Sequence, residues 1–304
     1  MKKIIHIGAN KAASTTLQRH LFNKSEYLSY LGEDCVDYLK YKDRLDSLVS
    51  DDDFHFSFNE TNKIFKYQIE NSQNRTFIFS NEDILTSRVP TQCATRLHKL
   101  IPDAKILIII RNQLDAIVSW YANHGAYLKQ VPRNYWRRYV SFDDWLEYCF
   151  SYPKYSPLES YLYHKHLSLY RDLFGKENIH LLFFEDLIYK KKTFIESLRN
   201  ILDVKYSIVD DALVNKHERP RNTIRQHRYN QFRSNYFYNT SLAKIIPFSK
   251  YTKNMWSRYL SSGDKVKVIL NERWENMLVD YFAEDNNQLS LEYSIDINRY
   301  NYPN

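Results

Sequence analysis

The sequence predicts an α/β fold, a parallel sheet flanked by helices on both faces, with a helical part toward its C-terminal end. Three observations carry this expectation. The opening segment Lys2-Lys-Ile-Ile-His-Ile-Gly8 is a strand that runs straight into a polar turn and a helix start. Lys105–Ile110 is a continuous apolar run rather than an alternating one, as expected of a parallel strand buried on both faces. Such strands then alternate with helical periodicity along the chain.

In chain order, the first helix reaches about Asn23, with Leu17, Leu21 and the flanking His20 marking its buried side. Residues 33–73 are polar and charged, and Asp51-Asp52-Asp53 reads as a solvated turn. Arg75–Ser80 is the second clear strand. Lys105–Ile110 ends at Arg111, and Asn112 is a good N-cap with Asp115 at the N3 position. Leu114, Ile117, Val118 and Tyr121 form the apolar stripe of that helix, and Ser119 lies off it on the flank of Asp115. Residues 125–163 are crowded with aromatics and positive charges. A further strand covers Ile179–Phe184, followed by Glu185-Asp186-Leu187 and a basic helix start at Lys190-Lys191-Lys192. Beyond residue 205 the chain reads as helical and basic through Lys216, Arg219, Arg221, Arg225 and Arg228, and Trp274, Leu278, Tyr281 and Phe282 make a helical packing stripe. Repeats and linkers are absent from the sequence, so residues 1–304 are expected to be one domain.

A chain of 304 residues can bury one substantial core. The net charge of +7 suits anionic ligands. The basic residues read as scattered, and no zinc-finger, helix-turn-helix or RNA-binding signature accompanies them, which argues against nucleic acid as a partner. Cys35, Cys93 and Cys149 are widely spaced, with no C-x-x-C, and read as buried thiols rather than a zinc site or a disulfide framework. No run of about 18 apolar residues occurs, and the first strand begins by Lys3, leaving no room for a leader or anchor. A soluble, cytoplasmic bacterial protein is expected, with peripheral membrane contact left open and the oligomeric state undetermined.

The chemistry begins at Ala9-Asn-Lys-Ala-Ala-Ser-Thr-Thr-Leu-Gln18. In a Walker A loop the Lys immediately precedes the Ser/Thr. Here Lys11 is three residues past Gly8, and two alanines separate it from Ser14-Thr15-Thr16. The N–H groups of the first turn and three hydroxyls can hold an anion in a P-loop-like manner, but the magnesium-kinase arrangement is broken. This stretch resembles the first motif of the sulfotransferases that use 3′-phosphoadenosine 5′-phosphosulfate (PAPS), which reads Gly-x-x-Lys-x-Gly-Ser/Thr-Thr after a strand. Lys11, Ser14, Thr15 and Thr16 match it, and Ala13 stands where the family usually has Gly. Arg111 and Ser119 reproduce that family's 3′-phosphate motif, an Arg after a strand and a Ser eight positions later, with Gln113 in place of the usual Pro. Phe184 takes the place of the aromatic that borders the adenine.

The resemblance implies sulfuryl transfer from PAPS to an acceptor hydroxyl, with adenosine 3′,5′-bisphosphate (PAP) as product and no metal. Lys11 would stabilise the leaving phosphate, and a general base would follow the strand before Arg111. Glu82 is the candidate, with Asp83 its neighbour, either able to cap the following helix, and His124 the fallback. The family's Arg-Lys-Gly loop is missing, and Arg221 is the candidate that replaces it at the 3′-phosphate. The form of the first motif is similar to bacterial carbohydrate sulfotransferases, which implies a saccharide or glycolipid acceptor. Tyr135, Trp136, Trp145 and Tyr148 are aromatics that could stack on sugar rings and could equally be lid or core residues. Two rival readings stand beside this one: a P-loop nucleotide or nucleoside kinase, and a nucleotide-binding protein without catalysis.

Overall fold

The computed structural model describes residues 1–73, 75–123, 140–205, 207–210, 223–236 and 250–304. The chain forms two compact units. One comprises Met1–Ala116, Glu159–His217 and Val279–Asn304, the other Ile117–Leu158 and Glu218–Leu278.

The first unit is built on a five-stranded parallel sheet: β1 (Lys3–Ile7), β2 (Leu28–Gly32), β3 (Thr76–Asn81), β4 (Lys105–Ile110) and β5 (Ile179–Phe183), in the order β2-β3-β1-β4-β5. Every residue of β3, and all of β4 beyond Lys105, is buried. Successive strand side chains point to opposite faces, so burial at consecutive positions means that both faces are covered. The covering elements include Phe58–Glu70, where Phe65 packs edge-on against Phe77 and Phe79, and Pro90–Leu100, with Pro90 in its first turn. Tyr163–Phe174 and Lys191–Leu202 pack against the β4/β5 side. Register pairs Ile7 with Asn81 and Ile110 with Phe183. Gly8, Glu82, Arg111 and Phe184 therefore all leave the sheet at one edge, beside the point where the strand order switches between β1 and β4.

The parallel α/β expectation holds, and the local differences have physical causes. β2 is an edge strand absent from the sequence reading. Residues 33–73 are largely helical, through Val36–Lys40, Lys42–Ser50 and Phe58–Glu70. The Asp51–Asp53 turn is pinned from inside: the buried Arg96 donates to the carbonyls of Leu48 and Asp51 and to the Asp53 carboxylate. The first helix buries Leu17, Gln18, Leu21 and Phe22, while His20 is half-buried. After β4 the buried residues are Asn112, Gln113, Ala116, Ile117 and Tyr121, and Leu114 and Val118 are half-buried.

In the second unit Trp145 is 1 % exposed and packs on Tyr121 and Phe142. It is a core residue rather than a sugar platform. On the Glu272–Tyr293 helix, Trp274, Leu278 and Phe282 of the expected stripe are buried, while Tyr281 is half-buried. All three cysteines are buried free thiols.

Candidate active site

The loop after β1 is closed from within. A Cβ at Gly8 would lie 2.8 Å from the Ser14 hydroxyl, so any larger residue here would have to displace Ser14. Ser14 Oγ is buried and donates to the Ala9 carbonyl at 3.1 Å. Lys11 and Ala13 both adopt left-handed backbone, with φ of 65° and 67°. The position where the resembled motif carries glycine is thus a position that asks for one. Thr15 Oγ1 donates to Glu82 Oε1 at 2.9 Å, which ties the loop to the end of β3.

Glu82 is half-buried at the start of a short 3₁₀ turn, Glu82–Ile84. That turn is capped by Asn81, whose Oδ1 accepts from the Asp83 N–H at 2.7 Å. Neither acidic residue is the cap. Behind the loop, Gln18 Nε2 donates to Ser80 Oγ at 3.0 Å, and the Ser80 hydroxyl lies 2.7 Å from His6 Nδ1. The Ser80 hydroxyl donates to His6 Nδ1 or accepts from it according to the tautomer of the ring. Complete burial lowers the His6 pKa to about 4. A single histidine in the buried run of β1 gives no hint in sequence that this group joins β1, β3 and the first helix.

Arg111 follows β4. Its Nη1 donates to the Lys11 carbonyl at 2.9 Å, and its guanidinium lies 4.6 Å from the centre of the Phe184 ring. Among the described residues, its buried Nε has no hydrogen-bond partner. The Arg111 main chain is held on both sides by Tyr163, whose hydroxyl accepts from the Arg111 N–H at 3.2 Å and donates to the Arg111 carbonyl at 2.8 Å.

The residues that follow Arg111 and Phe184 are gripped by one strap, residues 298–304. Asn112 caps its helix through the N–H of Leu114, as expected, and its amide donates to the carbonyls of Tyr300 and Asn301. Glu185 accepts from the Asn112 N–H at 2.8 Å and from the Tyr302 hydroxyl at 3.0 Å, and Tyr300 donates to Asp186. Burial raises the Glu185 pKa against these donors. Gln113 is fully buried, with its amide 2.7 Å from Asn286 Oδ1, and Asn286 in turn donates to the Pro303 carbonyl.

Lys11, Ser14, Thr15, Glu82, Arg111 and Phe184 thus meet at one edge of the first unit. Thr16 follows them on the helix. Ser119 is half-buried on the Gln113–Asn123 helix and belongs to the second unit. His124, Tyr135, Trp136 and Arg221 lie outside the described residues. A cavity of about 480 Å³ lined by Lys2, Tyr27, Arg75 and Asp203 opens at the opposite, N-terminal ends of the strands. Among the described residues no group of three His, Cys, Asp or Glu side chains is placed to hold a metal, and no helix is long and apolar enough to cross a membrane.

Residues 2–277 match the family model described as a sulfotransferase domain. A sulfotransferase structure from Alicyclobacillus acidocaldarius shares the fold, with TM-score 0.57 and 15% identity over 99% of this chain and 98% of that one. The mouse sulfotransferase SULT7A1 complexed with PAP aligns at TM-score 0.41 and 11% identity over 84% of this chain and 82% of its own. No curated protein matches the sequence.

Proposed function

The chain belongs to the sulfotransferase domain family, and from that premise we propose that it moves the sulfuryl group of PAPS to a hydroxyl of a saccharide or glycolipid, leaving PAP. When bound, PAPS supplies an activated sulfuryl group whose leaving group is a phosphate. The chain's own residues supply position and charge. Lys11 stabilises negative charge at the phosphate loop, where Thr15, Thr16 and the first-turn N–H groups bind the 5′-phosphate and Ser14 closes the loop behind them. Arg111, with Ser119 and Arg221, takes the 3′-phosphate, and the Phe184 ring borders the adenine. Glu82 accepts the proton of the acceptor hydroxyl, with His124 the other candidate base. Nothing in this division of labour calls for a metal.

The observation that carries the reading is the hydrogen bond of 2.9 Å between Thr15 and Glu82. It sets a carboxylate directly beside the phosphate loop, where an acceptor hydroxyl must approach. The buried, unpartnered Arg111 Nε beside Phe184 supports an anion-bearing ring at the same edge. A saccharide or glycolipid acceptor rests on the form of the first motif, from His6-Ile-Gly through Lys11 to Ser14-Thr-Thr-Leu-Gln18.

The test is thermal stabilisation by PAP, with ADP and ATP–magnesium beside it. A ligand at 100 times its dissociation constant adds about 2.7 kcal/mol, a clear rise in Tm. Stabilisation by PAP alone is the expected result. A response confined to ATP–magnesium would mean kinase chemistry, and no response to any of the three would remove the nucleotide site.

A further inference from the structure

The positive charge of this chain is not spread evenly. Residues 219–263 contain nine Lys and Arg and no Asp or Glu. The whole chain carries an excess of seven positive charges, so everything outside this segment is net acidic by two. The scatter expected of the basic residues is thus corrected by the pattern of the acidic ones.

Within the segment the second unit presents two helices, Ile224–Tyr236 and Lys250–Ser261. Their outer ends are joined. Thr223 pairs with Lys265, the Ile224 N–H donates to the Asp264 carbonyl at 2.8 Å, and Arg225 donates to the Ser262 hydroxyl at 2.7 Å. What the pair displays is unusual for a water-facing surface. From Asn254 to Tyr259 every residue is exposed. Met255 and Tyr259 stand one helical turn apart with Trp256 beside them, at 58%, 51% and 42% exposure. Phe232 and Ile224 on the other helix are also exposed. Trp256 packs against Tyr229 and Tyr259, and the Arg225 guanidinium lies 4.7 Å from the centre of the Tyr259 ring.

We propose that this helix pair is a docking surface for an anionic lipid bilayer. Cationic side chains without a single acid among them complement a negative surface. Trp and Tyr combine an apolar body with a polar tip, which suits the headgroup layer. Exposed Met, Ile and Phe gain only if they leave water, and a bilayer provides that where a saccharide or nucleic-acid chain does not. The docking stands on charge and exposure alone. Where the proposed glycolipid acceptor is correct, the same surface brings the enzyme to it.

The experiment is cosedimentation of the full chain with phosphatidylcholine vesicles, with and without phosphatidylglycerol, in the absence of nucleotide. Binding is expected to the anionic vesicles only and to weaken with salt. Arg228→Glu with Arg258→Glu should lower partitioning by more than about 25-fold, since each basic residue near an anionic surface is worth about fivefold. Met255→Ser, at a position 58% exposed, should lower it severalfold while leaving the melting temperature unchanged. Equal binding to neutral vesicles, no binding to either, or binding to dextran sulfate or single-stranded DNA without vesicle binding would each overturn the proposal. Vesicle binding that persists while PAP gives no stabilisation would count against the nucleotide site and leave the docking surface standing.

Discussion

The sheet edge and the basic helix pair handle charge in opposite ways. At the edge, cations are few and placed among acceptors: Arg111 on the Lys11 carbonyl and the Phe184 ring, with Glu82 hydrogen-bonded to the loop and Glu185 and Asp186 held by the strap. On the helix pair the cations have no acidic neighbours in sequence and share the surface with exposed aromatics. The lesson concerns the net charge of +7. It reads naturally as a preference for an anionic substrate, yet the excess is concentrated in residues 219–263, of which Arg221 alone is proposed to meet the nucleotide. Global charge describes where a protein is drawn, while recognition at a site depends on a few oriented groups.

The largest effects should separate the two regions kinetically. Glu82→Gln is expected to lower kcat by 10²- to 10⁴-fold, roughly the worth of a general base. Lys11→Ala should lower it by about 10²- to 10³-fold, the scale for removing one donor to developing negative charge. Glu82→Gln should still be stabilised by PAP, because it alters no proposed nucleotide contact. Charge reversal at Arg228 and Arg258 should leave turnover of a water-soluble acceptor within about twofold, since screened surface charges act weakly at a distance. An equal loss from both sets of variants would break the contrast.

Acid should separate them again. His6 and His166 are buried neutral in the sheet unit, each with its pKa lowered by burial to about 4. The unfolded chain binds those protons near pH 6.5, so stability is intact above that pH and is lost as pH falls toward 4. At pH 5 each histidine should cost about 2 kcal/mol relative to pH 8. Tm should therefore fall steeply from pH 7 to 5, while vesicle binding through Arg and Lys stays level. A flat melting temperature would show that neither imidazole is sealed as described. A comparable loss is expected from Asn286→Ala, roughly 1–3 kcal/mol by chemical denaturation, because it leaves the buried Gln113 amide without its partner.

The edge was legible in sequence because its groups sit next to the apolar runs that form β1, β3, β4 and β5, so finding a strand also finds the residue that leaves it. Three features were hidden for definite reasons. β2 is a short edge strand, Leu-Ser-Tyr-Leu-Gly, whose half-buried middle gives no strong period. Gln113 read as a replacement for a helix-starting proline, and its role depends on Asn286, 173 residues away. The charge segment was visible in composition, but only by noticing where acids are missing. For Trp145 the sequence left a sugar platform and a core residue both open, and packing against Tyr121 and Phe142 decides for the core.

The smallest expected effect is the sharpest test of loop geometry. Ala13 sits at φ 67°, ψ 11°, and a side chain in that left-handed region costs roughly 1–2 kcal/mol that glycine does not pay. Glycine also frees the unfolded chain, which takes back roughly 0.4–1 kcal/mol. Ala13→Gly should therefore stabilise the protein, by less than about 1.5 kcal/mol, with PAP stabilisation retained. On the exposed helix of the basic pair the same kind of change should have the opposite sign: Ser257→Gly should cost about 0.5 kcal/mol, since glycine is the poorer helix former. Denaturant midpoints of the two variants measure both. If Ala13→Gly instead destabilised like its counterpart, Ala13 would not hold the left-handed turn, and the loop that presents Lys11 would have a different shape.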